Sequence, residues 1–188
     1  MRWRTAAQHH AFARLTSYLA DLPRYLDANT MVRDAFARYS GFSLTECRRV
    51  AALGERPLFQ VDYISIHGQR VSANGSHRNG LITIDTVIAN EVESGSSLAE
   101  GSARVLLYSV ALHELVHFGR MTNRLSQTVH GNEAGKMFEC TAYQGDIDWA
   151  PGEHRLRQRR SGVYDGVRWA CPLSAIRPGH VRLAWTPN

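Results

Sequence analysis

The order of patterns along this chain predicts the α+β class. Three observations carry that reading. Helical spacing runs through residues 5 to 53, short strand-like runs follow between Leu58 and Ile88, and a long apolar helix then holds His113-Glu-Leu-Val-His117. The arrangement expected is N-terminal helices, a small and mostly antiparallel sheet, and an active helix packed against a second helix.

Each element has its own signal. Ala6, Ala7, Ala11, Phe12, Leu15 and Leu19 recur at helical spacing over residues 5 to 20, and Pro23 is expected to end that helix. A second helix is predicted from about Thr30 to Tyr39, closed by Ser40-Gly41. A third starts after Ser43, an N-cap with Glu46 three residues on, and runs to about Leu53. Gly54 to Pro57 breaks the chain. Leu58 to Ile66 is rich in β-branched and aromatic residues and reads as a strand, and Leu81 to Ile88 reads as another. Between them lies turn chemistry, with Asn74-Gly75 and Asn79-Gly80 both suited to positive φ. After a polar connection, Glu93 to Ser97, the metal-motif helix begins near Ala99 and closes at about Gly119. Asn123 to Asn132 reads as a loop, followed by a helix from Asn132 or Glu133 to about Gln144. Beyond Pro151 the chain is basic and turn-rich, with short apolar pieces at Val167 to Ala170 and Val181 to Trp185.

The whole chain sets limits on function. Its 188 residues suit one domain, residues 1–188, with ordinary apolar (44%) and charged (21%) content. No apolar run approaches the ~20 residues that a membrane helix needs. The two arginines near Met1 precede no apolar stretch, so no cleaved signal peptide is expected. The net charge of +5 is almost wholly arginine, Lys136 being the only lysine. Its one dense run, Arg155 to Arg160, lacks aromatic interleaving and reads as a solvated face, so no nucleic-acid partner is expected. Cys47, Cys140 and Cys171 are odd in number and widely spaced, which suggests small buried side chains, not a disulfide framework or a zinc knuckle.

His113 and His117 lie four residues apart on a helix, so their imidazoles can share one cation. Glu114 sits roughly 100° round from His113, free to act as general base on what the ion binds. Such a five-residue pattern recurs by chance in roughly one chain of this length in a few hundred. The setting strengthens it. Val105, Leu106, Leu107, Val110, Ala111, Leu112, Leu115, Val116 and Phe118 surround the motif with hydrocarbon, where unpaired polar groups cost roughly 2–7 kcal/mol each. A metal resolves that cost.

A catalytic zinc site needs a third protein ligand. The extended pattern that supplies a third histidine is absent, because Arg120 stands at its glycine and Asn123 at that histidine. The downstream candidates are His130, Glu133, Glu139, Asp146 and Asp148. Glu139, in the middle of the next helix, suits the return of the chain best, and Glu133, at its start, comes next. Tyr143, one turn beyond Glu139, can supply a phenol toward an oxyanion, although a helical tyrosine is more often core.

His113-Glu-Leu-Val-His-Phe-Gly119, followed by Glu133-Ala-Gly-Lys-Met-Phe-Glu-Cys-Thr-Ala-Tyr143, resembles the bacterial metallopeptidase toxin domains of polymorphic-toxin and type VI secretion systems. These are zincins, and the similarity covers roughly residues 80 to 148. It implies His113 and His117 as zinc ligands, Glu114 as the base and Glu139 as the third ligand. It further implies an immunity protein as partner, fusion to a larger delivery protein, and delivery into a target cell without a signal peptide. The activity expected is a zinc-dependent endopeptidase acting on a protein or peptide held along the strand Leu81 to Ile88. The alternatives are a non-catalytic binding module of the same fold and a zinc amidase acting on cell-wall peptide.

Overall fold

A computed structural model describes residues 1–66, 69–70, 75–95, 100–150, 155–159, 161–164 and 167–171. A short strand, β1 (Arg2–Trp3), precedes four helices, α1 (Ala6–Ala11), α2 (Ala13–Ala28), α3 (Thr30–Ser40) and α4 (Leu44–Ala51). The first helical stretch is broken at Phe12 instead of ending at Pro23. The carboxylate of Glu93 accepts from the backbone N–H groups of Arg14 and Leu15, both at 3.0 Å, and so caps the start of α2. Pro23 lies inside α2, where buried Leu19, Leu22, Tyr25 and Leu26 hold both halves against the core. Gly41 ends α3 with φ 77°, and Ser43 with Glu46 forms the expected capping box of α4.

The sheet chain follows: β2 (Leu58–Asp62), β3 (Ser65–Ile66), β4 (Gln69–Arg70), β5 (Gly75–Arg78) and β6 (Leu81–Asp85). Four strands form one mixed sheet in the order β1-β2-β6-β5. Two of its three pairings, β1 with β2 and β2 with β6, are parallel, so this sheet is not mostly antiparallel. The cause is β5, which runs back beside β6 through a tight turn at Asn79 (φ 52°) and Gly80 (φ 77°), leaving β6 parallel to β2. The antiparallel pairings otherwise lie in separate two-stranded ladders. β6 stops at Asp85 because its carboxylate accepts from Val87 N at 2.9 Å and starts α5 (Thr86–Ser94) three residues before the expected strand end. β6 is also an inner strand. The edge nearest the active helix is β5, so an extended peptide cannot pair with Leu81 to Ile88 as expected.

α6 (Glu100–Thr122) carries the motif and runs one turn past Gly119. Its Leu106, Leu107, Tyr108, Ala111, Leu112, Leu115 and Val116 are fully buried, as a helix apolar on nearly every side requires. α3 and α5 pack against it, as do the sheet and α7 (Ala134–Tyr143), and a small hairpin, β7 (Thr128–Val129) and β8 (Asn132–Glu133), connects α6 to α7. Beyond α7 come β9 (Asp146–Ala150) paired with β10 (Arg155–Arg159), and β11 (Ser161–Tyr164) paired with β12 (Val167–Ala170). Arg155 to Arg159 therefore form a strand, whereas Val181 to Trp185 and Asn74 lie outside the described residues.

The cysteines depart from the sequence reading. Cys140 on α7 is bonded to Cys171, across a sequence separation of 31 residues, while Cys47 is free and buried. Among the described residues, no helix is long and apolar enough to cross a membrane.

Candidate metal centre

Helical spacing on α6 turns His113 and His117 toward one point, and their Nε2 atoms are 3.3 Å apart. Two ligands each about 2.0–2.1 Å from a tetrahedral ion are separated by roughly that distance. The third group at this point is Glu133. Its Oε1 lies 2.7 Å from His117 Nε2 and its Oε2 3.5 Å from His113 Nε2. His113, His117 and Glu133 thus offer two nitrogens and a carboxylate, all within 4.8 Å of one another, a donor set that suits a divalent ion with room for a further ligand.

Glu133 reaches the site because the start of α7 is tightly built. The β7–β8 turn passes through His130 (φ 49°) and Gly131 (φ 78°), and Ala134 N donates to Gln127 O at 3.0 Å. Glu133 is the N-cap of α7, accepting from Gly135 N at 2.5 Å and Lys136 N at 2.7 Å. These bonds replace the fraying that counts against a ligand at a helix start. Burial works to raise the Glu133 carboxyl, but His113 and the hydrogen-bonded His117 outweigh it and hold it well below the usual carboxylate range.

Glu139, expected as the third ligand, sits on the other side of His113. Its Oε1 is 2.6 Å from Nδ1, and its Oε2 accepts from Ile147 N at 2.9 Å. With the shared proton on Nδ1, the Nε2 lone pair faces the vertex, which is how a carboxylate commonly orients a metal-binding histidine. Behind it, Lys136 pairs with Asp146, itself buried. Burial acts against the Lys136 ammonium, but Glu139 and Asp146 overcome it and raise its pKa. Asp146 is therefore engaged away from the vertex, His130 is exposed at the hairpin turn, and Asp148 lies on β9. Tyr143 is buried with its ring edge-on to Phe138, centres 5.9 Å apart, so it stands in the interior.

His117 is oriented too, through Nδ1 at 2.7 Å from Gln127 Oε1. Burial tends to lower its pKa, yet Glu133 lifts it to about 9 in the metal-free protein. A cation at the vertex would take the place of the Nε2 proton. Gly135 provides the clearance, since a Cβ there would come within 2.4 Å of His113 Nε2.

Glu114 is 5% exposed and turned toward β5, where a Cβ on Gly75 would meet its Oε1 at 2.9 Å. Among the described residues none donates a hydrogen bond to its carboxylate. Burial pushes its pKa up, while His113 and His117 pull it down. His77, also on β5, lies against Phe118 with ring centres 5.9 Å apart, and its Nε2 accepts from Gly80 N at 3.2 Å. Burial, with a smaller effect of His117, lowers its pKa to about 4. The sequence gives no hint of Gln127, Gly135 or His77 beyond their residue types, because each acts only through a contact made by the fold.

A family model described as metallopeptidase toxin 3 matches residues 8–144. No curated protein and no solved structure matches the chain.

Proposed function

We propose, since this chain belongs to the metallopeptidase toxin 3 family, that it is a zinc-dependent endopeptidase of zincin-like fold. In this reading His113, His117 and Glu133 hold the ion and Glu114 is the general base. The observation that carries it is the convergence of those three donors beside a buried carboxylate that makes no hydrogen bond among the described residues. The donor set fits the metal that the family name implies, and Gly135 leaves space where any other residue would crowd His113.

Zinc held there would acidify water and polarise a peptide carbonyl. Glu114, next to His113 on the same helix, is placed to take up the proton and later return it to the leaving amine. Its raised pKa suits that double task, since a stronger acid would hold the proton too weakly. Glu139 and Gln127 keep both imidazoles in the tautomer that binds metal. β5, the edge strand beside α6, is where an extended substrate can add as a further strand. As a toxin domain, the chain would act in a cell other than its producer, which an immunity protein would protect, and would reach it fused to a delivery protein.

The test is metal analysis of purified protein together with casein cleavage by wild type and Glu114→Gln. We expect about one zinc per chain in both proteins and a loss of cleavage of about 10²–10⁴-fold in the variant. A wild type that takes up no zinc at micromolar free metal would end the proposal. Activity on cell-wall material but not on casein would move the reading to an amidase, and a biological effect that survives Glu114→Gln would move it to a binding module.

A further inference from the structure

We infer that Arg120 and Gln127 form a clamp that positions His117 and the start of α7, making Arg120 a positioning residue of the metal centre. This rests on the metal-site reading above. Arg120 is only 8% exposed, and among the described residues no carboxylate pairs with its guanidinium. Its donors go to three backbone carbonyls. Nε donates to Ser126 O, Nη1 to Tyr39 O at 2.7 Å and Nη2 to Thr128 O at 3.5 Å.

Burying a guanidinium is costly unless its donors are used. Here they grip the chain on both sides of one residue, Gln127, and anchor it to the end of α3. Gln127 in turn reaches both His117 and the start of α7. Its side-chain Oε1 accepts from His117 Nδ1 at 2.7 Å, and its backbone carbonyl accepts from Ala134 N at 3.0 Å, next to Glu133. One buried side chain thereby fixes the loop that orients one ligand and begins the helix that carries another. A lysine cannot substitute, because a single ammonium lacks the spread donors of a planar fork. Gln127 itself is exposed, so its truncation leaves the core intact.

The experiment measures zinc affinity by chelator competition and the visible spectrum of the cobalt-substituted protein, for wild type, Gln127→Ala, Gln127→Glu and Arg120→Lys. Melting of the metal-free proteins is recorded alongside. Gln127→Ala should bind zinc about 10–100-fold more weakly with unchanged metal-free melting. Gln127→Glu, which keeps an acceptor for Nδ1, should recover most of that loss. Arg120→Lys should weaken zinc and shift the cobalt spectrum; if it fails to fold, the two Gln127 variants decide. Wild-type affinity and spectrum in Gln127→Ala would overturn this inference alone, whereas a wild type that binds no zinc would overturn the metal-site reading with it.

Discussion

At Gly135 the absence of a side chain is what lets two helices bring their ligands together. A Cβ there would overlap the His113 ring at 2.4 to 2.6 Å, and neither α6 nor the capped start of α7 can yield without moving a ligand. Gly135→Ala should therefore lower zinc affinity at least about tenfold, read by chelator competition. Tyr143 invites the opposite expectation. Buried against Phe138, it belongs to the interior, so Tyr143→Phe should keep casein cleavage within about twofold and show its effect in stability, at about 1 kcal/mol. His77 governs a pH response. Burial holds it neutral down to about pH 4, whereas an unfolded histidine titrates near 6.5. Between those values the unfolded chain binds the extra proton. The stabilisation is thus complete above about pH 6.5 and is lost as pH falls toward 4. Unfolding free energies of the metal-free protein from urea titrations across that range should fall less steeply for His77→Gln than for wild type, by a difference of up to about 2 kcal/mol.

Between elements, α7 is the one that ties most of the site together. Its N-cap faces the vertex, its middle holds Glu139 against His113, and the next residue, Cys140, is bonded to Cys171. Cys140→Ser should cost about 3–4 kcal/mol by releasing a loop of this length and should weaken zinc binding through Glu139, measured by urea unfolding and metal titration. Cys47 will not confuse the thiol count, since burial raises its pKa to about 12 and leaves it unreactive in the folded state. The sequence showed part of this. The Gly41 stop, the Ser43–Glu46 capping box and the oily helix around His113 were all readable because each depends on residues within a few positions of one another. Glu133 was readable as a ligand candidate second to Glu139, because a helix start frays, and the hairpin that keeps that start from fraying depends on Arg120 and Gln127 reaching across the loop. The early end of β6 at Asp85 was hidden for a similar reason, because an aspartate in a strand-like run announces a cap only if the next residues turn. The Cys140–Cys171 bond joins positions that no local pattern relates.

Across the whole molecule, the candidate centre joins pieces that would otherwise separate on unfolding. His113 and His117 come from α6 and Glu133 from the β8–α7 junction, so an unfolded chain does not hold Glu133 against the two histidines and a bound ion stabilises the folded form. At a free zinc concentration a hundredfold above the dissociation constant, linkage supplies about 2.7 kcal/mol. A domain of 150–250 residues gains about 2–4 °C in melting temperature for each kcal/mol, so zinc should raise the melting temperature by roughly 5–11 °C. His117→Ala removes one nitrogen and should abolish the shift, whereas Glu114→Gln leaves all three donors in place and should retain it. Differential scanning calorimetry of the three proteins with zinc and with chelator measures this directly. An equal shift in wild type and His117→Ala would mean that the stabilising ion sits elsewhere on the protein, and would separate metal binding from the helix that the rest of the fold surrounds.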